Sequence, residues 1–275
     1  MILVFDLGAT NTRIALSSDG VHLDKTIIVP TDTSSEGPKT FIEAARSFVG
    51  KTKLQHIAGG IAGTIDRKAG ILIESPNLPN WTDVPMGSLL EKAFGVGPHL
   101  ENDVALVGLG EVIANSRRGI TVYVTVSTGV NGARFVDGKI DRSTYGFEAG
   151  RELIPTATGE LKSLEELISG HALQERYGRL PSTIDDPLVW DAEAGYLALG
   201  LYNMMLMWSP KTIILGGSMM RDINIELVEQ KMAQLPKVFP ELPELRKAEL
   251  GSLGGLYGGL ELIREVLAHK STSTE

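Results

Sequence analysis

The sequence predicts an α/β protein of two domains that begin alike. Three observations carry this. The chain has 275 residues, about two domains at roughly 100–200 residues each and enough for real cores. Short apolar runs alternate with longer helical patterns, the mark of an α/β protein. One arrangement occurs twice, near residues 3–20 and 121–138: a strand, a polar Gly-bearing tip, a second strand and an Asp-Gly turn. It is one pair, not an array. The boundary is expected near residues 114–119, around Ser116-Arg117-Arg118-Gly119.

In the first half, Ile2–Phe5 reads as a strand ending at Asp6-Leu7-Gly8-Ala9-Thr10-Asn11. Arg13–Ser17 is a second strand, closed by Asp19-Gly20, a strong hairpin signal. His22–Val29 is read as the third. Lys39–Val49 places Phe41, Ala44, Ala45 and Phe48 at helical spacing. His56–Ile61 is a buried strand ending at Gly63. Pro76-Asn77-Leu78-Pro79-Asn80-Trp81 is an extended loop, since proline restrains itself and its predecessor. A helix at Met86–Phe94, a strand at Pro98–Leu100 and a helix at Val104–Asn115 follow.

In the second half, Ile120–Val126 is a β-branched strand running into Ser127-Thr128-Gly129-Val130-Asn131-Gly132. Ala133–Val136 returns, closed by Asp137-Gly138. Helices are expected at Leu161–Tyr177, Trp190–Trp208, Ile225–Leu235 and Gly255–His269. One more buried strand, Lys211–Leu215, ends in Gly216-Gly217-Ser218, and Lys270–Glu275 reads as a frayed polar tail.

Composition narrows the chemistry. There is no Cys, so no disulfide framework and no thiolate metal site. The five His are scattered, with no two at ligand spacing. A net charge of −8 argues against nucleic acid as a main partner. The N-terminal apolar run breaks at Asp6, too short for a signal peptide. The longest uncharged stretches, Ala194–Ser209 and Gly119–Ala133, fall short of the roughly 20 residues of a membrane helix. A cytoplasmic protein is expected.

Three Gly-bearing tips follow strands: Asp6–Asn11, Ser127–Gly132 and Gly216–Ser218. Such turns let consecutive N–H groups cradle an anion, and the hydroxyls of Thr10 and Thr128 could add contacts. Ordinary hairpin turns are the alternative. Asp6 would repel phosphate unless a divalent cation, held directly or through water, stood between. Asn102-Asp103 precedes a helix, as an N-cap or as a carboxylate able to take a proton from a hydroxyl. Glu148 and Glu165 could accept sugar hydroxyls or lie on solvated faces.

These motifs, in this order, resemble the ROK kinases, the sugar-kinase branch of the actin-like ATPases. Asp6-Leu7-Gly8-Ala9-Thr10-Asn11 resembles the first phosphate motif, and Ser127-Thr128-Gly129-Val130-Asn131-Gly132 the second. Gly60-Ile61-Ala62-Gly63 with Ser75-Pro76-Asn77-Leu78-Pro79-Asn80-Trp81 is similar to the sugar-side segment. Glu101-Asn102-Asp103 looks like the segment with the catalytic Asp. Ile214-Leu215-Gly216-Gly217 resembles the nucleoside-side Gly pair, and Leu253-Gly254-Gly255-Leu256-Tyr257-Gly258-Gly259 the start of the closing helix. Three departures stand out. Ser127 replaces the usual Gly, Arg151 replaces the His of Gly-Glu-X-Gly-His, and the zinc knuckle is missing from the short segment Glu152–Ser163.

The resemblance implies a two-domain actin-like ATPase (ribonuclease H-like) fold with a cleft between domains. Residues 1–115, joined by a C-terminal helix at about 256–269, would form the sugar side, and 116–255 the nucleotide side. It implies ATP-dependent phosphorylation of a hexose primary hydroxyl, glucose first, with N-acetylmannosamine, fructose or allose as alternatives. Asp103 would be the base. Gly63, Asn77, Asn102, Glu148, Arg151 and Glu165 would bind sugar. Asp6, Gly8, Thr10, Asn11, Thr128, Gly129, Gly216 and Gly217 would bind ATP, with Mg²⁺ at Asp6 and no zinc. Arg151 is expected to pair with Glu148 or Glu165. A homodimer is implied too. A sugar-responsive repressor of the same family would need a helix-turn-helix before the first phosphate motif, which here starts at residue 6. A non-catalytic sugar-binding protein remains the other alternative, because fold does not fix function.

Overall fold

A computed structural model describes residues 1–115, 118–141, 143–156 and 158–272, the last four through their backbone. Ser116 and Arg117, at the expected boundary, therefore lie outside the described residues. The chain divides into two compact units, one of residues 1–114, 144–146 and 252–275, the other of residues 115–143 and 147–251.

The first unit begins with strands β1 (Ile2–Leu7), β2 (Asn11–Ser17) and β3 (Lys25–Pro30). Helix α1 (Gly37–Val49), β4 (His56–Ile61), the hairpin β5 (Thr64–Asp66) and β6 (Ile71–Glu74), and α2 (Met86–Phe94) follow. Strand β7 (Pro98–Asn102) leads into α3 (Asp103–Ala114). The sheet order is β3-β2-β1-β4-β7, with β1 antiparallel to β2 and parallel to β4. Every residue of β1 is buried because both its faces are covered. Leu3, Phe5 and Leu7 pack with Phe41, Ala45, Met86 and Leu90 of α1 and α2. Ile2 and Val4 pack with Leu256, Leu260 and Ile263 of a helix from the far end of the chain.

The second unit repeats the plan with β8 (Ile120–Val126), β9 (Val130–Val136) and β10 (Lys139–Ile140). Next come β11 (Leu153–Pro155), β12 (Leu161–Ser163), α4 (Leu164–Ile168), α5 (Gly170–Tyr177) and α6 (Pro187–Trp208). Strand β13 (Thr212–Gly216), α7 (Ile225–Ala233) and β14 (Glu244–Lys247) complete it. Its sheet order, β10-β9-β8-β13-β14, matches the first strand for strand, with the same directions. Helix α8 (Gly254–Thr272) then returns to the first unit.

Helices α3 and α8 meet backbone to backbone. A Cβ on Gly110 would overlap the Gly254 carbonyl, and one on Gly258 the Leu106 carbonyl. Only glycines permit that approach.

Several boundaries differ from the sequence reading. The third strand starts at Lys25, not His22, because the Asp19 carboxylate accepts the N–H groups of Val21 and His22 and lengthens the turn. Leu161–Tyr177 is not one helix. It is β12, α4 and α5, interrupted at Ser169, whose side chain accepts the Ala172 N–H and caps α5. Of the tail read as frayed, Lys270–Thr272 are assigned to α8, and residues 273–275 lie outside the described residues. Strands β5, β6, β10, β11 and β14 were not anticipated.

Two carboxylates on the second unit's core are strained by burial. Glu193 on α6 has no exposed surface, and its pKa is pushed from 4.5 up to about 7 by desolvation, against the pull of Arg176. Burial likewise lifts Glu152 to about 7. A raised carboxylate pKa means the folded state holds the proton more tightly. Its contribution to stability is complete below pH 4.5 and is lost as pH rises through 7. Replacing Glu193 by Gln should therefore flatten the fall in stability between pH 5 and 8. The variant's stability relative to wild type should rise from pH 5 to pH 8. Urea titrations of both proteins across that range would show it, and parallel curves would refute it.

Candidate functional site

In the first unit the strand register sets Arg13, Asp6, Gly60 and Glu101 in a row across β2, β1, β4 and β7. The bare Gly60 lets α3 begin directly on the sheet: a Cβ there would lie 2.8 Å from the Asp103 Cα. Asp6 is 7% exposed and 3.5 Å from Arg13 Nη1. Burial pushes its pKa up to about 6, and Arg13 pulls the other way. The start of α8 closes over it. A Cβ on Gly255 would come within 2.7 Å of the Asp6 Cγ, so the carboxylate sits at the positive end of a 19-residue helix.

Asn102 is spent at both ends. Its Oδ1 accepts the Ala105 N–H (3.1 Å), capping α3, while its Nδ2 donates to the Gly63 carbonyl (3.0 Å). Asp103 follows as the first residue of α3, half-buried, with Oδ1 accepting the Val104 N–H (2.9 Å). The cap is thus Asn102, which leaves Asp103 at the positive end of the helix without making it the cap. Gly63 has φ +128°, and a Cβ would overlap the Glu74 carbonyl. Beneath, buried Glu101 takes Arg67 Nε at 2.7 Å and its neighbour's N–H at 2.8 Å. The loop with Asn77 is pinned by buried Trp81, whose Nε1 donates to the Asp32 carbonyl (3.1 Å), and by Asn80, which donates to Thr33. Asn77 itself is exposed.

At the first tip the Gly8 N–H donates to the Asn11 carbonyl (3.2 Å), and Thr31 Oγ1 donates to the Gly8 carbonyl (2.7 Å). Thr10 is exposed at the apex.

In the second unit the tip turns more tightly, Ser127 N–H to Gly129 carbonyl at 2.8 Å. Glu165, from the first turn of α4, takes the Val130 N–H on Oε2 (2.9 Å) and Arg151 Nη1 near Oε1 (3.2 Å). Asn131 Nδ2 donates to Glu148 Oε2 at 3.3 Å. Gly150 lies flat on β9, where a Cβ would overlap the Val130 carbonyl. Gly217, at φ +95°, lies against β8, where a Cβ would overlap the Val126 carbonyl. These contacts gather Thr128, Gly129, Gly217, Glu148, Arg151 and Glu165 around one strand end.

Sequence reasoning missed Arg13, Arg67 and Thr31, and it named Asn131 only as part of the second tip, without its contact to Glu148. Arg13 was within reach, since a tight β1–β2 hairpin puts it opposite Asp6. Arg67 and Glu101 are 34 residues apart, with no local signal.

Among the described residues no three His, Cys, Asp or Glu side chains come together as a metal cluster. Asp6 offers a single carboxylate, and Mg²⁺ is commonly held by one or two carboxylates together with retained water and substrate phosphates. Also among the described residues, no helix is long and apolar enough to cross a membrane.

The ROK family model matches residues 2–266. A fructokinase of Streptococcus mutans is 25% identical over 96% of this chain and 97% of its own. The ROK hexokinase of Thermus thermophilus superposes with a TM-score of 0.79 at 26% identity, over 97% of this chain and 99% of that one. A ROK glucokinase of Streptomyces griseus, solved with glucose and AMPPNP, shares the fold with a TM-score of 0.80 at 20% identity, over 96% and 99% of the two chains. Matched over nearly its whole length and built on the actin-like ATPase fold of those kinases, the chain belongs to the ROK family.

Proposed function

We propose that this ROK-family sugar kinase moves the γ-phosphoryl group of ATP to the primary hydroxyl of a hexose, glucose foremost. The observation that carries the reading is Asp103, fixed at the head of α3 by a capped neighbour and a bare Gly60. The hydroxyl oxygen attacks the γ-phosphorus while the bond to the ADP oxygen breaks, and the hydroxyl proton passes to the Asp103 carboxylate. A positioned base supplies about 10²–10⁴-fold. The remainder rests on alignment and on charge stabilisation. By family resemblance Gly63, Asn77, Asn102, Glu148, Arg151 and Glu165 are the residues that take the sugar. Gly8, Thr10, Asn11, Thr128, Gly129, Gly216 and Gly217 take the nucleotide. Asp6 would hold Mg²⁺, which when bound offsets phosphate charge. A homodimer working in the cytoplasm belongs to the same proposal, carried by family resemblance.

ADP release against a panel of hexoses and N-acylhexosamines tests this. No release with any sugar would leave a sugar-binding protein. Fructose is the second reading, favoured by the full-length likeness to the S. mutans fructokinase; N-acetylmannosamine and allose complete the panel.

Arg151 is nearly half exposed while its Nη1 holds Glu165. Arg151→Ala should raise the sugar KM about tenfold, equivalent to ~1.4 kcal/mol. The ATP KM should move much less, and the ranking of sugars should change. An unchanged sugar profile would place Arg151 outside the site.

A further inference from the structure

The α4–α5 corner carries Glu165 on a helix too short to hold its own position. Helix α4 has five residues, far below the length at which a helix sustains itself. Its start is secured by a capping box: Ser163 accepts the Glu166 N–H, and the Glu166 carboxylate accepts the Ser163 N–H. Its end is secured from outside. Arg176 on α5 donates through Nη2 to the carbonyls of Leu167 (2.8 Å) and Glu166 (3.3 Å). Through Nη1 it donates to Glu193 Oε1 on α6 (3.1 Å). Glu193 has no exposed surface, and its other oxygen has no partner. The head of α5 is tied to the tip as well, Gly170 N–H to the Ser127 carbonyl (2.7 Å) and His171 N–H to the Thr128 carbonyl (3.2 Å).

We infer that Arg176 is a positioning residue for the sugar site. Anchored by Glu193 to the 22-residue α6, its planar fork holds the C-terminal carbonyls of α4 and so sets where Glu165 stands. This rests on Glu165 being a sugar ligand. A misplacement of about 1 Å can cost as much as 10²-fold, and α4 has no length to resist one. A lysine can neutralise Glu193 but, as a point charge, cannot reproduce the fork.

Two variants separate positioning from simple charge balance. Arg176→Met with Glu193→Leu removes both partners together, so that no unpaired carboxylate is left buried on α6. Arg176→Lys keeps the charge. In both, thermal stability should stay near wild type. The sugar KM should rise about tenfold or more, with the ATP KM within about threefold. A sugar KM near wild type in both variants overturns the inference. An equal rise in both constants overturns it too, because that marks general loosening. Failure of the kinase reading is distinguishable, since wild-type protein would then release no ADP with any sugar. In that event amide exchange decides. The amides of α4 and of Val130 should exchange faster in both variants, and unchanged exchange would overturn the role assigned to Arg176.

Discussion

Asp103→Asn should lower turnover by at least about 10²-fold while the fold and the affinity for sugar stay near wild type. The amide is isosteric and its oxygen can still accept the Val104 N–H that Asp103 Oδ1 accepts at 2.9 Å. The cap of α3 belongs to Asn102 and is untouched. What the variant cannot do is take a proton from the attacking hydroxyl. Loss of kcat with a nearly constant sugar KM is the mark of an interaction made only in the transition state. Asn102→Ala makes a useful contrast. It removes a helix cap, at about 1 kcal/mol, and frees the Gly63 carbonyl from its donor. It should therefore soften the fold and disturb sugar binding. If Asp103→Asn turns over at the wild-type rate, the base lies elsewhere.

Gly258→Val should destabilise the first unit by about 3 kcal/mol or more. At an exposed helix position the same change would gain a few tenths of a kcal/mol, because glycine is the poorer helix former. At Gly258 a Cβ would overlap the Leu106 carbonyl, which is backbone and cannot swing aside. Relief requires α3 and α8 to separate. The head of α3 is Asp103 and the head of α8 abuts Asp6, so any surviving folded protein should also lose activity. Gly97→Ala is the control, for a Cβ there meets nothing within 4 Å. Denaturant unfolding should show a large loss for Gly258→Val and almost none for Gly97→Ala. Equal stabilities would mean that the helices pack otherwise.

The repeated plan was legible because each hairpin is punctuated locally, by a Gly-bearing tip and an Asp-Gly turn. The shared strand order then follows from packing that no short window contains. Glu244–Lys247 could not be read as a strand: Glu-Leu-Arg-Lys has one apolar residue, as suits a charged edge. The break in Leu161–Tyr177 was readable in principle. Ser163-Leu164-Glu165-Glu166 is a capping-box signature and Ser169 another cap, but Leu164, Leu167 and Ile168 kept the helical period and masked them. The candidate site divides the same way. Asp6, Asn102 and Asp103 stand at strand ends that a sequence marks. The partners of Glu165 do not, because Val130 is 35 residues away and only folding brings its N–H to that carboxylate.

The return of α8 to the first unit has a consequence for synthesis. Ile2, Val4, Ala15 and Ala58 are made about 200 residues or more before their apolar cover, Leu256, Leu260 and Ile263. At about 5–20 residues per second that sheet face waits on the order of ten seconds or more. The second unit, being nearly continuous in the chain, can settle meanwhile. A ribosome stalled before residue 254 would thus hold a nascent chain with one mature unit and one sticky, half-covered sheet. Until α8 is made, that face is the part of the chain most open to non-native association.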